Sequence, residues 1–224
     1  MGIIGGSYAK ALRRLGVKKI IGVDTDGKVL RQAQEQAVID EALCGAGPGL
    51  QAADVVICSV YPAATLDFVK SAVPFLQSDV LITDATGIKG SLPEDVQRLL
   101  TGRMEFIAGH PMAGRQGSGL GMSQAEIFDG ANYIVVPAAF NSSGAIEWLS
   151  SFAGAIGCGQ VVQVDAVEHD RIIAYTSNLP HALAVALINS ASYNENTKYF
   201  IAGSFRDGTR VADINPYLWS DLFL

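Results

Sequence analysis

Short runs of apolar residues alternate with longer amphipathic stretches through the first two thirds of the chain. A continuous apolar run of four to eight residues is typical of a strand buried on both faces, whereas an apolar repeat every three to four residues predicts a helix. The predicted strands lie at residues 18–24, 53–60, 79–84, 105–109, 132–137 and 161–164. The predicted helices lie at residues 8–15, 28–43, 63–76 and 92–100. This alternation predicts a parallel sheet covered on both faces, with the last strand at its edge.

The pattern changes after Asp165, where helical periodicity continues over residues 166–192 and no strand pattern returns. Pro180 lies inside this stretch and lacks a backbone donor, so we expect a kink or a joint there. The expected fold is therefore α/β: a Rossmann-type parallel-sheet domain over residues 1–164, then an all-helical domain over residues 165–224. About 60 residues are few for an independent core, so the helical part is expected to pack on the first domain or on a second subunit.

Composition and charge exclude several classes of protein. Apolar residues make up 49% of the 224 residues and charged residues 17%, which excludes a disordered chain. The net charge of −6 argues against a nucleic-acid partner, and an anionic ligand would need a local cluster of Arg or Lys. The three cysteines are far apart, as expected for reduced thiols. Because no membrane or export segment is predicted, we expect a soluble, cytoplasmic protein.

Glycines at the beginning of the chain form a phosphate-binding pattern. The run Gly2-Ile-Ile-Gly-Gly-Ser7 matches the second half of the dinucleotide fingerprint GxGxxG, which brings a backbone and a helix N-terminus to the pyrophosphate. Asp24 ends the next predicted strand, where an acid binds ribose hydroxyls. Asp24 and Asp26 would repel the 2′-phosphate of NADP, so NAD is the expected cofactor, with Lys28 as an opposing charge nearby. An ordinary tight turn is the alternative. The predicted cofactor residues are Gly2, Ile3, Ile4, Gly5, Asp24 and, at the end of the strand at residues 53–60, Ser59 and Val60.

Of the three histidines, His110 is best placed to meet a bound nicotinamide. It follows an apolar strand directly, and parallel sheets bind ligands outside the carboxyl ends of their strands. The alternative is a histidine that binds loop backbone groups. His169 and His181 are twelve residues apart and cannot share a metal through one helix face, so no metal site is predicted. His169 is interpreted as structural, whereas His181 either lines a cleft or lies in the core.

Two arginines near the end of the chain are spaced to bind a carboxylate. Arg206 and Arg210 lie four residues apart and share one face if the segment is helical. Two adjacent guanidinium groups can hold a carboxylate through paired hydrogen bonds. The alternative is a solvated pair with Asp207 and Asp213 as partners.

Five motifs in order resemble those of the prephenate/arogenate dehydrogenase family of tyrosine biosynthesis. The resemblance extends from Gly2 to Leu224. The motifs are Gly2-Ile-Ile-Gly-Gly-Ser7, Thr83-Asp84 with Lys89-Gly90, Gly109-His-Pro-Met-Ala-Gly114, Ser177-Asn-Leu-Pro-His181, and Phe205-Arg-Asp-Gly-Thr-Arg210 followed by Trp219.

The resemblance implies an NAD-dependent oxidative decarboxylation of prephenate to 4-hydroxyphenylpyruvate. His110 would bind the ring hydroxyl of prephenate and accept its proton as hydride leaves for NAD. Arg210 would bind a substrate carboxylate, with Arg206 nearby and His181 lining the pocket. The apolar run of residues 174–191 is too hydrophobic for a solvent face, so we expect a homodimer built through residues beyond 165.

The chain departs from the family pattern in three places. Gly87 stands where many members have a serine, and Thr86 is predicted to supply the lost hydroxyl to the substrate. Gln116 stands where many members have an acid. The first strand and the first glycine of the fingerprint are absent, and the family usually continues beyond Leu224. A sheet without its first strand would expose the edges of the adjoining strands.

Other functions stay open at this point. An arogenate dehydrogenase would differ only in taking an amino acid instead of a keto acid. A non-catalytic dinucleotide-binding or dimerisation module would account for Gly87 and for the missing strand. A β-hydroxyacid dehydrogenase would require a catalytic lysine in the helical domain, and Lys198 is the only lysine there.

Overall fold

The computed structural model describes residues 1–115 and 117–212 of the chain, which divides into a first unit, Met1–Ala166, and a second unit from Val167 onward. The division falls two residues after the one expected from the sequence. The strands of the first unit are β1 (Ile21–Val23), β2 (Glu41–Leu43), β3 (Val55–Cys58), β4 (Leu81–Asp84), β5 (Glu105–Pro111), β6 (Asn132–Val136) and β7 (Gln160–Gln163). Its helices are α1 (Ile3–Arg14), α2 (Gly27–Glu35), α3 (Pro62–Ala72), α4 (Leu92–Gln97) and α5 (Ser143–Ala155).

The described strands form two sheets. β1 and β2 pair in parallel, and a five-stranded sheet has the order β3-β4-β5-β6-β7. β1 and β3 each lie at the end of a sheet. The strand predicted at residues 161–164 is confirmed as the edge strand β7.

One pair of strands does not run as expected. β5 and β6 are antiparallel, with Gly109 opposite Val135, while the other pairs in the five-stranded sheet are parallel. The connection from β5 to β6 contains two short 3-10 turns, Leu120–Met122 and Ala125–Phe128, instead of the crossover helix that a parallel return requires. A purely parallel sheet was therefore the wrong prediction for this pair.

The predicted helix at residues 28–43 is two elements. α2 ends at Glu35, and Ala37 takes a positive φ of 54°, which a helix cannot continue through. Val38 and Ile39 are buried, and the chain then enters β2 alongside β1. The two apolar residues fit the helical period by chance, so the prediction missed the strand.

Helices cover both faces of the five-stranded sheet, as predicted. On β5, Ile107 packs in a cluster with α1 and α5, whereas its neighbours Phe106 and Ala108 pack on the opposite side with α3 and α4. Alternate residues of one strand point to opposite faces, so an uninterrupted apolar run is what a doubly covered strand needs.

The second unit contains only helices and turns in its described part. α6 (Ala166–Ile173) leads into a π-helical turn at Ala174–Asn178, then α7 (Leu179–Ile188) and α8 (Gly203–Thr209). Pro180 lies in the first turn of α7, directly after the π-helical turn, so the predicted joint is confirmed. None of the helices in the described part of the chain has both the length and the apolar character needed to cross a membrane.

Candidate active site

The segments that follow β3, β4 and β5 lie at one edge of the five-stranded sheet. β3 and β4 run parallel with Cys58 opposite Asp84, so the two strands end at the same level. β5 runs parallel to β4 and continues beyond it. This edge carries Ser59, residues 84–90 and His110, at the carboxyl ends where open α/β sheets bind ligands.

The first turn of α1 reaches the same edge. A Cβ atom built on Gly5 would lie 3.3 Å from the Cβ of Ser59. No side chain caps the N-terminus of α1, and its first turn holds no acidic residue. Among the described residues outside the adjacent chain, nothing lies within 4 Å of the position that a Cβ of Gly2 would take. The open backbone of residues 2–5, with its free N–H groups, is thus arranged as a phosphate group requires.

Ser59 and Val60 add one polar and one apolar side chain beside the backbone of residues 2–5. The Oγ of Ser59 is buried and has no hydrogen-bond partner within the described part of the chain. A buried hydroxyl without a hydrogen-bond partner destabilises the fold. A hydrogen bond to an oxygen of a bound ligand would remove that cost. Half of the surface of Val60 is exposed. The two side chains therefore fit a ligand that has both polar and flat apolar groups, as a dinucleotide does.

Asp24 follows β1 directly, where the cofactor fingerprint places its acid. One carboxylate oxygen accepts the N–H of Asp26 at 2.8 Å, and the other contacts the amino group of Met1. Partial burial lowers the pKa of that amino group, while Asp26 raises it to a smaller extent. The side chain of Asp24 keeps 22% of its surface exposed, so solvent or a ribose can reach it.

His110 lies in the last part of β5, opposite Ile134 of β6, and its side chain is half-buried. A Cβ built on Gly87 would lie 3.9 Å from its Cε1, an ordinary van der Waals distance. The loop after β4 thus passes beside the imidazole ring. A serine at residue 87 would therefore place its side chain next to His110. Glycine leaves this position without a side chain.

Beneath His110, a buried ion pair joins β4 to β5. Lys89 Nζ lies 2.7 Å from Asp84 Oδ2, and both side chains are fully buried. The other oxygen, Asp84 Oδ1, accepts the N–H of Gly109 at 3.0 Å, and Lys89 Nζ donates to the carbonyl of Gly109 at 2.7 Å. We call these three residues the Gly109 anchor. Neither Asp84 nor Lys89 is predicted as a site residue from the sequence, although an acid ending an apolar strand, with a lysine five residues later, was a usable signal.

Thr86 lies beside the Gly109 anchor, and its hydroxyl does not have the role expected from the sequence. The Oγ1 donates toward Asp84 Oδ2 and lies 3.0 Å from the carbonyl oxygen of Ile88. Its oxygen also lies 3.3 Å from Lys89 Nζ. With the side chain 5% exposed and its hydrogen bonds directed inward, Thr86 does not offer the substrate the hydroxyl that Gly87 lacks.

Tyr133 of β6 packs against Gly109 of β5. Its hydroxyl would lie 2.5 Å from a Cβ on Gly109, so only glycine fits there. It shares a buried hydrogen bond of 3.1 Å with the hydroxyl of Tyr8. Burial is the main cause that raises the pKa of both phenols far above the ordinary value, so both stay neutral at physiological pH.

The other predicted residues lie in the second unit. His181 Nδ1 donates to the carbonyl of Ser177 at 2.8 Å, across the π-helical turn. Because a carbonyl only accepts, Nδ1 carries a hydrogen in this contact. His169 is buried and bonds Asp170 at 2.6 Å, which fits a structural role.

Arg206 and Arg210 lie one turn apart at the end of α8, where the N–H of Arg210 bonds the carbonyl of Arg206 at 2.9 Å. Both side chains are exposed. Within residues 1–115 and 117–212, neither guanidinium takes part in an ion pair. The predicted departure at Gln116, the partner Asp213 and the motif residue Trp219 lie outside the described residues.

Family models match nearly the whole chain. The nucleotide-binding domain of prephenate dehydrogenase matches residues 8–162, and the prephenate dehydrogenase dimerization domain matches residues 165–224. The prephenate dehydrogenase of Bacillus subtilis is 31% identical over 230 residues, which cover 100% of this chain. The chain spans 62% of the length of that relative.

Two solved structures have the same fold. Prephenate dehydrogenase from Aquifex aeolicus, in complex with hydroxyphenyl propionate and NAD+, superposes with a TM-score of 0.89 at 30% identity. The match covers 99% of this chain and 79% of that one. Arogenate dehydrogenase from Synechocystis gives a TM-score of 0.83 at 27% identity, over 99% of this chain and 80% of that one.

Proposed function

The chain belongs to the prephenate dehydrogenase family, and from this premise we propose that it catalyses the NAD-dependent oxidative decarboxylation of prephenate to 4-hydroxyphenylpyruvate. The observation that carries the proposal is the position of His110. It is the one histidine of the first unit, and it lies in the last part of β5 at the sheet edge that also holds the uncapped start of α1. A single base beside a phosphate cradle is what hydride transfer from an alcohol requires.

His110 acts as a proton carrier in the proposed reaction. It accepts the proton of the ring hydroxyl while the hydride leaves the same carbon, so the alcohol becomes a ketone. The ring carboxylate then leaves as carbon dioxide, and its bonding electrons make the ring aromatic. The phenolate oxygen takes the proton back from His110. Two electrons leave as hydride, and no net proton is released, so the histidine needs no exchange with solvent within a turnover.

NAD, when bound, supplies the acceptor for that hydride. The residues that would hold it are the free N–H groups of residues 2–5 toward the pyrophosphate, Ser59 toward an oxygen of the cofactor and Asp24 toward the adenosine ribose. The negative charge of Asp24 opposes a 2′-phosphate, which favours NAD over NADP. Val60 contributes apolar surface.

The substrate carries two carboxylates, and we assign one of them to Arg210. The support is the pair of exposed guanidinium groups one helical turn apart, outside any ion pair of the described residues. A carboxylate held by an arginine makes two parallel charge-assisted hydrogen bonds. Arg206 adds positive charge next to it, and His181 is proposed to line the same pocket.

We further propose a cytoplasmic homodimer formed through the second unit. One stripe of the helical stretch consists of Tyr175, Leu179, Leu183 and Leu187, at four-residue intervals, with between 46% and 73% of each surface exposed. A stripe of this kind is unfavourable in water unless another surface covers it. The description of the matching family domain as a dimerization domain supports a second copy as the partner.

The first experiment is a comparison of initial rates with NAD and either prephenate or arogenate, followed at the absorbance of NADH. We expect turnover with prephenate. Faster turnover with arogenate would replace the substrate assignment and keep the reaction class. NAD binding without turnover of either compound would favour a dinucleotide-binding module and would remove the proposed activity.

A further inference from the structure

β5 extends past the strand that supports it. β4 and β5 pair from Leu81 opposite Glu105 to Thr83 opposite Ile107. Beyond this point β5 continues to Pro111 with β6 on its other side. A strand that runs beyond its neighbour leaves backbone groups on that side without a ladder partner, and burial makes such groups costly.

At Gly109 two side chains replace the missing strand. Asp84 Oδ1 accepts the N–H of Gly109 at 3.0 Å, and Lys89 Nζ donates to its carbonyl at 2.7 Å. Both backbone groups of one residue are thus satisfied from the end of β4, by an acid and a lysine that also pair with each other at 2.7 Å. Charge-assisted hydrogen bonds of this kind are stronger and shorter than those between neutral groups.

The same ion pair holds the loop on the other side of the imidazole. Asp84 Oδ2 accepts the N–H of Thr86 at 3.0 Å, and Lys89 Nζ donates to the carbonyl of Thr86 at 3.0 Å. Thr86 precedes Gly87, which adjoins His110 Cε1. One buried pair therefore determines both the strand that carries His110 and the loop that passes beside it.

We propose that Asp84 and Lys89 are positioning residues for His110: they hold its backbone, through Gly109, where no strand does so. The inference rests on the proposed function for its effect on turnover. Neither side chain touches the reacting atoms in this proposal. Their contribution is the orientation of the base, and misplacement of a catalytic group by about 1 Å is enough to cost on the order of 10²-fold in rate.

Lys89→Met and the double variant Asp84→Asn/Lys89→Met test this inference. The single variant leaves a buried carboxylate without its cation and is liable to misfold. In the double variant no buried charge remains, and the side-chain oxygen of Asn can still accept the N–H of Gly109. The variant loses both charges, the lysine donor to the carbonyls of Gly109 and Thr86, and the Oδ2 acceptor for the N–H of Thr86. The matched control is Arg14→Met, because Arg14 also binds a carboxylate, that of Asp129, and a backbone carbonyl, that of Ile156, elsewhere in the first unit.

Two measurements are made on each variant: steady-state rates with NAD and prephenate, and hydrogen–deuterium exchange of peptides that cover residues 105–112. In the double variant we expect kcat to fall about 10- to 100-fold, the dissociation constant of NAD to stay within about threefold, and exchange to accelerate at residues 105–112. The control is expected to keep kcat and the slow exchange of this segment.

A double variant that keeps wild-type kcat would overturn the positioning role, whether or not exchange changes. A fall in kcat with unchanged exchange at residues 105–112 would also overturn it, because the base would not have moved with its strand. If the parent protein oxidises neither prephenate nor arogenate, the proposed function fails, and exchange alone decides whether the anchor holds this segment: faster exchange supports it and unchanged exchange refutes it.

Discussion

At the scale of single residues, several contacts hold the backbone at Gly109, next to the half-buried side chain of His110. Gly109 is fixed on three sides, by Asp84, by Lys89 and by the hydroxyl of Tyr133. His110, the next residue, is half-buried and borders the open space beside Gly87. A rigid backbone with an accessible side chain is what a general base needs, since the ring must be oriented and still meet a substrate.

Replacement of His110 by Ala is expected to lower kcat by about 10²- to 10⁴-fold, because the proton of the ring hydroxyl loses its acceptor. The KM of NAD should change little. Steady-state kinetics at saturating NAD measures both. His169→Asn is the control, because His169 is a buried histidine bonded to Asp170 and has no part in the proposed chemistry. Wild-type kcat in the His110 variant would leave the proposed enzyme without its base.

Replacement of Arg210 by Ala is expected to act on substrate binding. Loss of a paired, charge-assisted contact should raise the KM of prephenate tens- to hundreds-fold and leave the dissociation constant of NAD unchanged. Arg171→Ala removes an exposed arginine paired with Glu168 in the same unit and serves as the control. An unchanged KM would show that Arg210 is a surface residue.

At the scale of elements, the start of α1 and the end of β1 are proposed to bind different parts of the cofactor. The helix offers N–H groups to phosphates, and Asp24 offers a carboxylate to ribose hydroxyls. Substitutions at the start of α1 and at Asp24 should have different effects on cofactor binding, because only the carboxylate distinguishes a ribose hydroxyl from a 2′-phosphate.

The variant Asp24→Ser should narrow the preference for NAD. The parent is expected to use NAD at least about tenfold better than NADP in kcat/KM, and removal of the negative charge should reduce that ratio. Asp67→Ser is the control, since Asp67 is an exposed acid on α3 with no assigned contact with the cofactor. Equal use of both cofactors by the parent would exclude Asp24 from this role.

The other end of α1 is tied to the loop before β6 by the ion pair of Arg14 and Asp129, at 2.8 Å. The hydrogen bond from Arg14 lowers the pKa of Asp129 below its ordinary 3.8. A carboxyl group whose pKa is lower in the folded than in the unfolded state stabilises the fold above the unfolded value, and this contribution is lost as the pH falls through the folded value.

Asp129→Asn should therefore lower the melting temperature at pH 7, and the difference from the parent should shrink as the pH is lowered from about 4 toward 2. Thermal unfolding followed by circular dichroism across this range is the measurement. Asp79→Asn, which removes a surface pair with a longer distance of 3.4 Å to Arg103, should have a smaller effect. A constant difference at all pH values would show that the ion pair is not the cause.

At the scale of the whole molecule, the two units have different surfaces. The first unit buries apolar residues in three clusters around its sheets, and two of these clusters contain aromatic side chains. The second exposes most of a helical stripe, with Tyr175 at 73% and Leu183 at 61%. Such a surface in a unit of this size indicates a partner, and the proposed partner is a second copy of the chain.

A charge in that stripe should prevent association. Leu183→Glu is expected to shift the protein from dimer to monomer in sedimentation velocity at micromolar concentration, because an interface that buries an unpaired carboxylate is strongly disfavoured. Leu15→Glu places the same charge on a residue that is 44% exposed at the end of α1 and should leave the dimer intact. A parent protein that sediments as a monomer would contradict the proposed assembly.

Much of this protein follows from its sequence alone. The apolar runs located all five strands of the larger sheet, because strands covered on both faces are mostly apolar, and the edge strand β7 still has the apolar pair Val161 and Val162. The helix predicted to end at residue 15 ends at Arg14, just before Gly16, which has a φ of 78°. The place of His110 near the carboxyl end of β5 also followed from local pattern, although the strand predicted to end at residue 109 continues through His110 to Pro111.

Only the tertiary structure decided the rest. The direction of β6, the short strand β2 and the inward hydrogen bonds of Thr86 depend on which segments meet in space, and an apolar run carries no information on its direction. The Gly109 anchor joins Asp84 and Lys89 to a glycine twenty or more residues away. Asp84 and Lys89 belong to one of the motifs shared with the family, but their contacts with Gly109 arise because β5 extends past β4 and side chains must bond its backbone there.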